Sequence, residues 1–362
     1  MATKKVKQVK KMLLQKKKPP RKLTNADFLS TGSTQLNLAC SGRSRGGFKK
    51  GGYYLLVGDS DSGKTFLTMT CLAEAAKNPE FDDYDFIFDA PEDGVQMDVK
   101  RFFGEAVAKR LRAPAHDKAG GPIYSETTED FYYYLDDLQK AGRKFIYILD
   151  SMDAIDTDQD EAKFAEQKKA SRAGKTTTGS YGMSKSKVNS QNIRRVVRRL
   201  RKSGSILIVI TQTRAAQSMY EEKTRGGGHA LKFYAHLEMW TRPVQKLYKV
   251  INGKKRQYGI VCRIDVKKNR FVGFKASAEI PIYPSFGMDD IGSCISYLVG
   301  EKHWKSTADK ISAPEFKFKG TTTALIRKIE DEDLQPELQT IVSKVWHAII
   351  DKLSLKRKPR YV

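Results

Sequence analysis

The chain has 362 residues, 40% of them hydrophobic, enough for a large core and for two domains at most. Lys and Arg number 66 against 42 Asp and Glu, a formal charge of +24 that points to a polyanionic partner. No apolar stretch approaches the roughly 18 residues that span a bilayer, and the N-terminus lacks the apolar middle of a secretory signal, so a soluble cytoplasmic protein without a membrane partner is expected. The four cysteines, Cys40, Cys71, Cys262 and Cys294, form no C-x-x-C pair and read as buried small hydrophobes rather than zinc ligands or disulfides.

Residues 1–22 contain no acid and close with Pro19-Pro20. They read equally as a disordered solubilising tail or as an arm that contacts DNA, and the remaining chain is basic without them. A glycine-rich approach from Ser41 to Gly52 leads to the apolar run Tyr53-Tyr54-Leu55-Leu56-Val57, a buried strand by its composition. The strand ends in Gly58-Asp59-Ser60-Asp61-Ser62-Gly63-Lys64-Thr65, a complete G-x-x-x-x-G-K-T loop, and good helix formers follow from Phe66. Such a loop aims backbone N–H groups and a helix N-terminus at phosphate oxygens. Lys64 then reaches the outer phosphates and the Thr65 hydroxyl ligates Mg²⁺, so ATP and Mg²⁺ are the expected ligands.

Downstream, Tyr84 to Asp89 predicts a second strand, and helices are predicted over about Gln96–Leu111 and Ser125–Ala141, the latter N-capped by Ser125. Lys144 to Leu149 is a third strand, closed by Asp150-Ser151. A long polar stretch, a helix near Val188–Lys202 and the strand Ile206–Ile210 come next. Continuous apolar strands separated by helices predict an α/β fold with a mostly parallel sheet covered on both faces. Ligands then collect beyond the strand ends, where Gly58, Asp89, Asp150 and Gln212 lie. From Leu247 to Pro284 shorter alternating strands predict an antiparallel extension of that sheet. Leu338, Ile341, Val342, Val345, Trp346, Ile349, Ile350 and Leu353 recur at helical spacing and predict a small helical C-terminal module with a basic tail. The boundaries expected are a 1–27 basic segment, a 28–295 core and a 296–362 module.

Asp150 fits the strand-end acid that holds Mg²⁺ in P-loop ATPases. Glu92 is placed to polarise an attacking water, or else is a helix N-terminal acid. Gln212, following the last parallel strand, is placed to sense the terminal phosphate and inform the next loop. That loop, Thr213 to Gly228, holds Arg214, Met219, Tyr220, Lys223, Arg225 and the triplet Gly226-Gly227-Gly228, a mobile basic segment suited to phosphates and bases. A second polar stretch, about 157–185, contains Tyr181, Met183 and Lys185 and is read as functional or ordered only on binding. Its Asp156-Thr157-Asp158-Gln159-Asp160 start lacks the glycine and glutamate of a calcium loop. The helix at 188–202 sets Arg194, Arg195, Arg198, Arg199 and Arg201 against Ile193, Val196 and Leu200, a basic face that is solvated or DNA-facing.

Taken in order, Ser30-Thr31-Gly32-Ser33, the P-loop, Phe88-Asp89-Ala90-Pro91-Glu92, Ile148-Leu149-Asp150-Ser151, Thr211-Gln212-Thr213-Arg214, Gly227 to Ala235, Val266 to Arg270 and Ile282 to Gly287 resemble the RecA-type recombinases, bacterial and bacteriophage. The resemblance spans roughly residues 28–295. It implies a RecA-like core and an ATP-dependent homo-oligomeric filament on single-stranded DNA that pairs with homologous duplex, with single-strand-binding or mediator proteins as further partners. It also implies that Lys64 and Thr65 bind phosphate and Mg²⁺, that Asp150 supports the metal, that Glu92 is the catalytic carboxylate, with Asp93 its competitor, and that Gln212 links ATP to the DNA loops. Lys268 and Arg270 match a basic pair that enters the neighbouring subunit's ATP site. The aromatic that stacks on adenine in bacterial members has no evident counterpart, Val99 falling near its position. The basic N-terminus, the long first loop and the distinct C-terminal module favour a phage-type member, acting in the host cytoplasm. The alternatives are a RecA-fold helicase or motor, and a DNA-coating mediator that uses ATP only as an assembly switch.

Overall fold

Strands apolar at nearly every position build the centre of the molecule, for which a computed structural model describes residues 21–92, 96–173, 184–215, 223–307 and 310–357. These are β1 (Tyr53–Gly58), β2 (Tyr84–Asp89), the two-residue β3 (Leu111–Arg112), β4 (Lys144–Leu149) and β5 (Ile206–Ala215). They lie parallel in the order β1-β5-β4-β2-β3. Side chains alternate between two buried clusters: Tyr54, Leu56, Ile146, Ile148, Ile206, Ile208 and Ile210 on one face, Tyr53, Leu55, Val57, Tyr147, Leu149, Leu207 and Val209 on the other. Both faces are covered, which is why the runs are unbroken in apolarity. Fully burying each such side chain contributes roughly 1.5–3 kcal/mol.

On the other side of β1 the sheet continues with β7 (Leu237–Ile251), parallel to β1, and then with β8 (Lys254–Asn269), β9 (Ser277–Tyr283) and β10 (Gly287–Met288), all antiparallel; β6 (Lys223–Arg225) folds back onto β5. Ten strands join in this sheet among the described residues, and the expected α/β class is the observed one. The short strands expected from Leu247 onward are instead two long ones, of 15 and 16 residues, joined at Asn252-Gly253 with φ of 53° and 71°. That is the positive-φ pair a two-residue hairpin turn requires. The start of β7 escapes a pattern search because Leu237 to Met239 are buried, whereas Arg242 to Lys246 are exposed.

Helices cover the faces. On the first lie α1 (Thr34–Ser41) and α2 (Lys64–Ala76). The single helix expected over Gln96–Leu111 is two, α3 (Val99–Phe103) and α4 (Glu105–Arg110), broken at Gly104, where φ is 91°. On the second face α5 (Thr128–Lys140) begins three residues later than expected, because Thr127 and Asp130 form a reciprocal capping box that outcompetes Ser125 as the cap. The described first half of the polar stretch after Asp150 is helical: α6 (Asp158–Arg172), capped by Thr157. None of its residues is buried, so no apolar period announced it. α7 (Ser184–Ser203) starts a turn before the predicted Val188, buries Ile193, Val196 and Leu200 and leaves Arg194, Arg195 and Arg198 exposed; α8 (His229–Tyr234) packs beside it.

The C-terminal part comprises α9 (Asp290–Gly300), a small sheet of β11 (Lys305–Ser306), β12 (Ile311–Ala313) and β13 (Phe318–Gly320), then α10 (Thr322–Asp331) and α11 (Gln335–Leu353). The helices match expectation and the three-stranded sheet adds to it. Leu298, Trp304, Leu325, Leu338 and Trp346 share one buried cluster with Leu56 and Ile208 of the central sheet. Asp290 fastens the two parts, accepting hydrogen bonds from Thr34 N at 2.7 Å and Thr34 Oγ1 at 2.8 Å. The four cysteines are free and buried, as read from the sequence.

Candidate nucleotide site and the loops beside it

The register of the sheet sets the strand ends in a row: Gly58 is paired with Gln212 on one side and Thr241 on the other, and Asp89 is paired with Leu149, the residue before Asp150. The P-loop is braced from within and from β7. Ser62 Oγ donates to Asp59 O at 2.6 Å, and Thr241 Oγ1 donates to Ser62 O at 2.6 Å. A Cβ at Gly58 would lie 2.6 Å from Ser62 Oγ and from Thr241 O, so only glycine lets the loop close this tightly.

Lys64 Nζ donates to Asp59 O at 2.6 Å, and Thr65 Oγ1 donates to Asp150 Oδ2 at 2.5 Å. Burial lowers the Lys64 pKa, with Asp150 opposing, and raises that of Asp150, with Thr65 opposing. A bound polyphosphate and a divalent cation act against both shifts, since each stabilises the charged form of its neighbour. A hydroxyl and a carboxylate in contact at the start of a helix are hard oxygen donors of the kind Mg²⁺ takes, so the residues present fit both groups. The peptide bond after Asp150 is cis.

Glu92 is exposed and accepts hydrogen bonds from Ser151 Oγ at 3.2 Å and from Gln212 Nε2 at 3.4 Å. Gln212 does not follow the strand, as expected, but lies within β5, which runs to Ala215. Its neighbour Thr213 donates through Oγ1 to Asp59 Oδ1 of the P-loop. Behind this row Asp89 is fully buried and accepts from Ser125 N at 2.9 Å, Ser125 Oγ at 2.5 Å and Tyr147 OH at 2.6 Å. Ser125, expected as a helix cap, therefore serves the strand-end carboxylate.

A cleft of about 850 Å³ opens beside the P-loop, walled by Lys64, Thr65, Met97, Phe102, Tyr258 and Pro284. Its dimensions and its apolar wall suit a nucleobase next to the phosphate loop. Sequence reasoning found Lys64 and Thr65 but missed Met97, Phe102, Tyr258 and Pro284, and saw no aromatic counterpart because Val99 falls near that position. Phe102, one helical turn further along α3, lines the cleft, and Tyr258 arrives from β8, where only sheet register brings it near.

The described ends of the two basic loops meet at the same end of β5, just past Gln212. Arg214 Nη2 donates to Asp153 Oδ1 at 3.0 Å, and Lys185 Nζ donates to Met152 O at 3.3 Å. Arg225 is not presented to solvent as expected. Its side chain is 8% exposed, its Nε donates to Glu238 Oε1 at 2.9 Å and its Nη1 to Gly228 O at 2.9 Å. The triplet Gly226-Gly227-Gly228 is held against the core: Asn189 Nδ2 donates to Gly227 O at 3.0 Å. Tyr181, Met183, Met219, Tyr220 and Asp93 lie outside the described residues, and for Lys223 only its backbone pairing with Ala215 is described. Lys268 and Arg270 stand apart from the P-loop of their own chain. Lys268 Nζ donates to Lys232 O at 2.5 Å and Phe233 O at 2.8 Å, and Arg270 Nη2 to Phe233 O at 2.5 Å, all at the end of α8.

A glycine-rich phosphate loop on the central strand of a parallel sheet, with a metal-type acid and a carboxylate–glutamine pair at the neighbouring strand ends, defines an α/β P-loop nucleotide-binding protein. A family model described as the RecA N-terminal domain matches residues 138–289. The chain is 27% identical over 281 residues to Protein RecA of Colwellia psychrerythraea, covering 77% of this chain and 71% of that protein. It is 25% identical over 275 residues to Protein RecA of Thermus thermophilus, covering 75% and 72%. Protein RecA of Synechococcus sp. is 27% identical over 277 residues, 76% of this chain and 64% of that protein. Over about three quarters of its length the chain is similar to the RecA-type recombinases.

Proposed function

We propose that the protein is a DNA-dependent ATPase that assembles as a helical filament on single-stranded DNA and carries out homologous pairing and strand exchange. The observation that carries this reading is the end of β5, where three successive residues reach the nucleotide carboxylate, the P-loop and the base of the basic loop: Gln212 to Glu92, Thr213 to Asp59 and Arg214 to Asp153. A strand so placed reports the state of the nucleotide to whatever binds the loop.

In this reading Lys64 and the P-loop amides bind the ATP phosphates, and Thr65 with Asp150 holds Mg²⁺, which when bound supplies charge neutralisation at the outer phosphates. Glu92 orients and deprotonates the attacking water. Gln212 senses the terminal phosphate through the same carboxylate. Lys268 and Arg270, whose charges are not used at the P-loop of their own chain, act on the nucleotide of an adjacent subunit, so that hydrolysis requires assembly. Lys185, Arg214 and the stretches from 174 to 183 and 216 to 223 contact DNA, sequence-independently and with steep salt sensitivity. The protein is a phage-type member working in the host cytoplasm with mediator proteins.

The test is joint-molecule formation between labelled single-stranded DNA and supercoiled duplex with ATP and Mg²⁺. Joints are expected only with homologous duplex and are lost in Lys64→Ala. DNA-stimulated hydrolysis with duplex unwinding but no joints overturns the reading in favour of a motor, and DNA coating without hydrolysis overturns it in favour of a mediator.

A further inference from the structure

Asp153 touches no part of the nucleotide cleft, yet it is the residue on which the nucleotide-sensing strand and the basic loop converge. Its Oδ2 accepts the backbone N–H of Gln212 at 2.7 Å, and its Oδ1 accepts from Arg214 Nη2 at 3.0 Å. The carboxylate is largely buried, its side chain 9% exposed, whereas Arg214 is 60% exposed. Gly226, at the return of the loop, packs directly upon it: a Cβ there would lie 2.1 Å from Asp153 Oδ1 and 3.4 Å from Arg214 Nε. One largely buried carboxylate thus accepts from the sensor residue and from the first cation of the loop, and packs against the glycine that closes it.

We propose that Asp153 is a positioning residue that stores Arg214 as an internal ion pair in the absence of DNA, so that a DNA phosphate must take the guanidinium from a carboxylate already bonded to Gln212. The proposal rests on the DNA-binding reading above and adds the means by which nucleotide state and DNA affinity are joined. A carboxylate presents to a guanidinium the same pair of anionic oxygens that a phosphate does, so the two compete for Arg214. Because Gln212 N–H shares that carboxylate, movement of Gln212 toward the terminal phosphate shifts Asp153 and loosens its hold on Arg214. Without nucleotide the pair is closed and one phosphate contact is withheld from DNA. Arg214 is mostly solvent-exposed, so the restraint is modest and corresponds to about a two- to fivefold effect on affinity.

The test uses the full chain and a labelled oligothymidylate, titrated with and without ATP over a range of salt, in wild type, Asp153→Asn, Arg214→Gln and the double variant. Asparagine keeps the shape and an acceptor for Gln212 N–H but lacks the charge that holds Arg214. Asp153→Asn is expected to raise nucleotide-free affinity about two- to fivefold and to narrow the ratio of affinities with and without ATP. It is also expected to steepen the nucleotide-free slope of log affinity against log salt by about 0.7, the signature of one more phosphate contact on a single strand. In the Arg214→Gln background Asp153→Asn is expected to change neither quantity, a coupling that a purely structural role does not produce. An Asp153→Asn protein with wild-type thermal stability but an unchanged nucleotide-free slope overturns the proposal, as does an equal effect in both backgrounds. If Asp153→Asn does not fold, Arg214→Gln decides alone: it should lower affinity more with ATP than without, and equal losses overturn the proposal. Failure of the wild type to bind the oligonucleotide under any condition is a failure of the DNA-binding reading itself and is seen in the first titration.

Discussion

Arg225 sits in a basic, glycine-flanked segment, and on sequence alone it is a DNA ligand. In the folded chain its guanidinium is buried against Glu238, itself 1% exposed, and holds the carbonyls of Gly226 and Gly228. Removing one partner of a buried pair costs up to about 3–5 kcal/mol, and here Glu238 would keep only the half-exposed Lys232, 3.5 Å away, as a counter-charge. Arg225→Ala is therefore expected to lower the free energy of urea unfolding by about that amount, whereas Arg214→Ala, an exposed cation, changes it by less than about 1 kcal/mol. Equal effects of the two substitutions on unfolding would show that Arg225 is not structural. Composition identifies a basic loop but not which of its cations are spent inside the protein, because the partner, Glu238, belongs to a strand that reaches the site only through the sheet.

At the scale of elements, visibility in the sequence follows burial. Strands β1, β2, β4 and the start of β5 were legible as apolar runs because each packs on both faces, and α11 because Leu338, Val342 and Trp346 recur on one buried side. α6 buries nothing and α3 and α4 are short, so propensity and capping decided them and periodicity did not. The base of the second loop is another case in which close packing governs. Gly228 has φ of +84°, and a Cβ there would lie 2.5 Å from Ser186 Oγ and 3.2 Å from Ser186 Cα on α7. Gly228→Ala is expected to cost about 1–3 kcal/mol and to loosen the docking of the loop on α7. Thermal unfolding should reveal the loss, with nucleotide binding at the P-loop retained; an unchanged midpoint refutes the packing argument.

For the whole molecule, activity is expected to depend on pH through Lys268. Burial, reinforced by the neighbouring Arg270, lowers its pKa to about 8. An unfolded lysine titrates near 10.4, so between about 8 and 10.4 the folded chain binds fewer protons than the unfolded one, and the contribution of this group to stability rises with pH across that window. Its contribution to catalysis runs in the opposite sense. If Lys268 acts as a cation on a neighbouring subunit's nucleotide, DNA-stimulated hydrolysis falls as pH rises through about 8. Lys268→Arg, which stays charged, should move that fall to higher pH while leaving nucleotide binding by the single chain unaltered. A profile identical in the two proteins would remove Lys268 from the assembled site. The sequence by itself determined the phosphate loop, the acid at Asp150, the parallel sheet and the overall basic character, because each is written in contiguous residues or in a period that burial enforces. Only the tertiary structure decided that Phe102 and Tyr258 wall the cleft beside the P-loop, that Arg225 is spent on Glu238 and that Asp153 joins Gln212 to Arg214. Those are contacts between residues distant in the chain, and their partners are set by strand order and register, which no local pattern encodes.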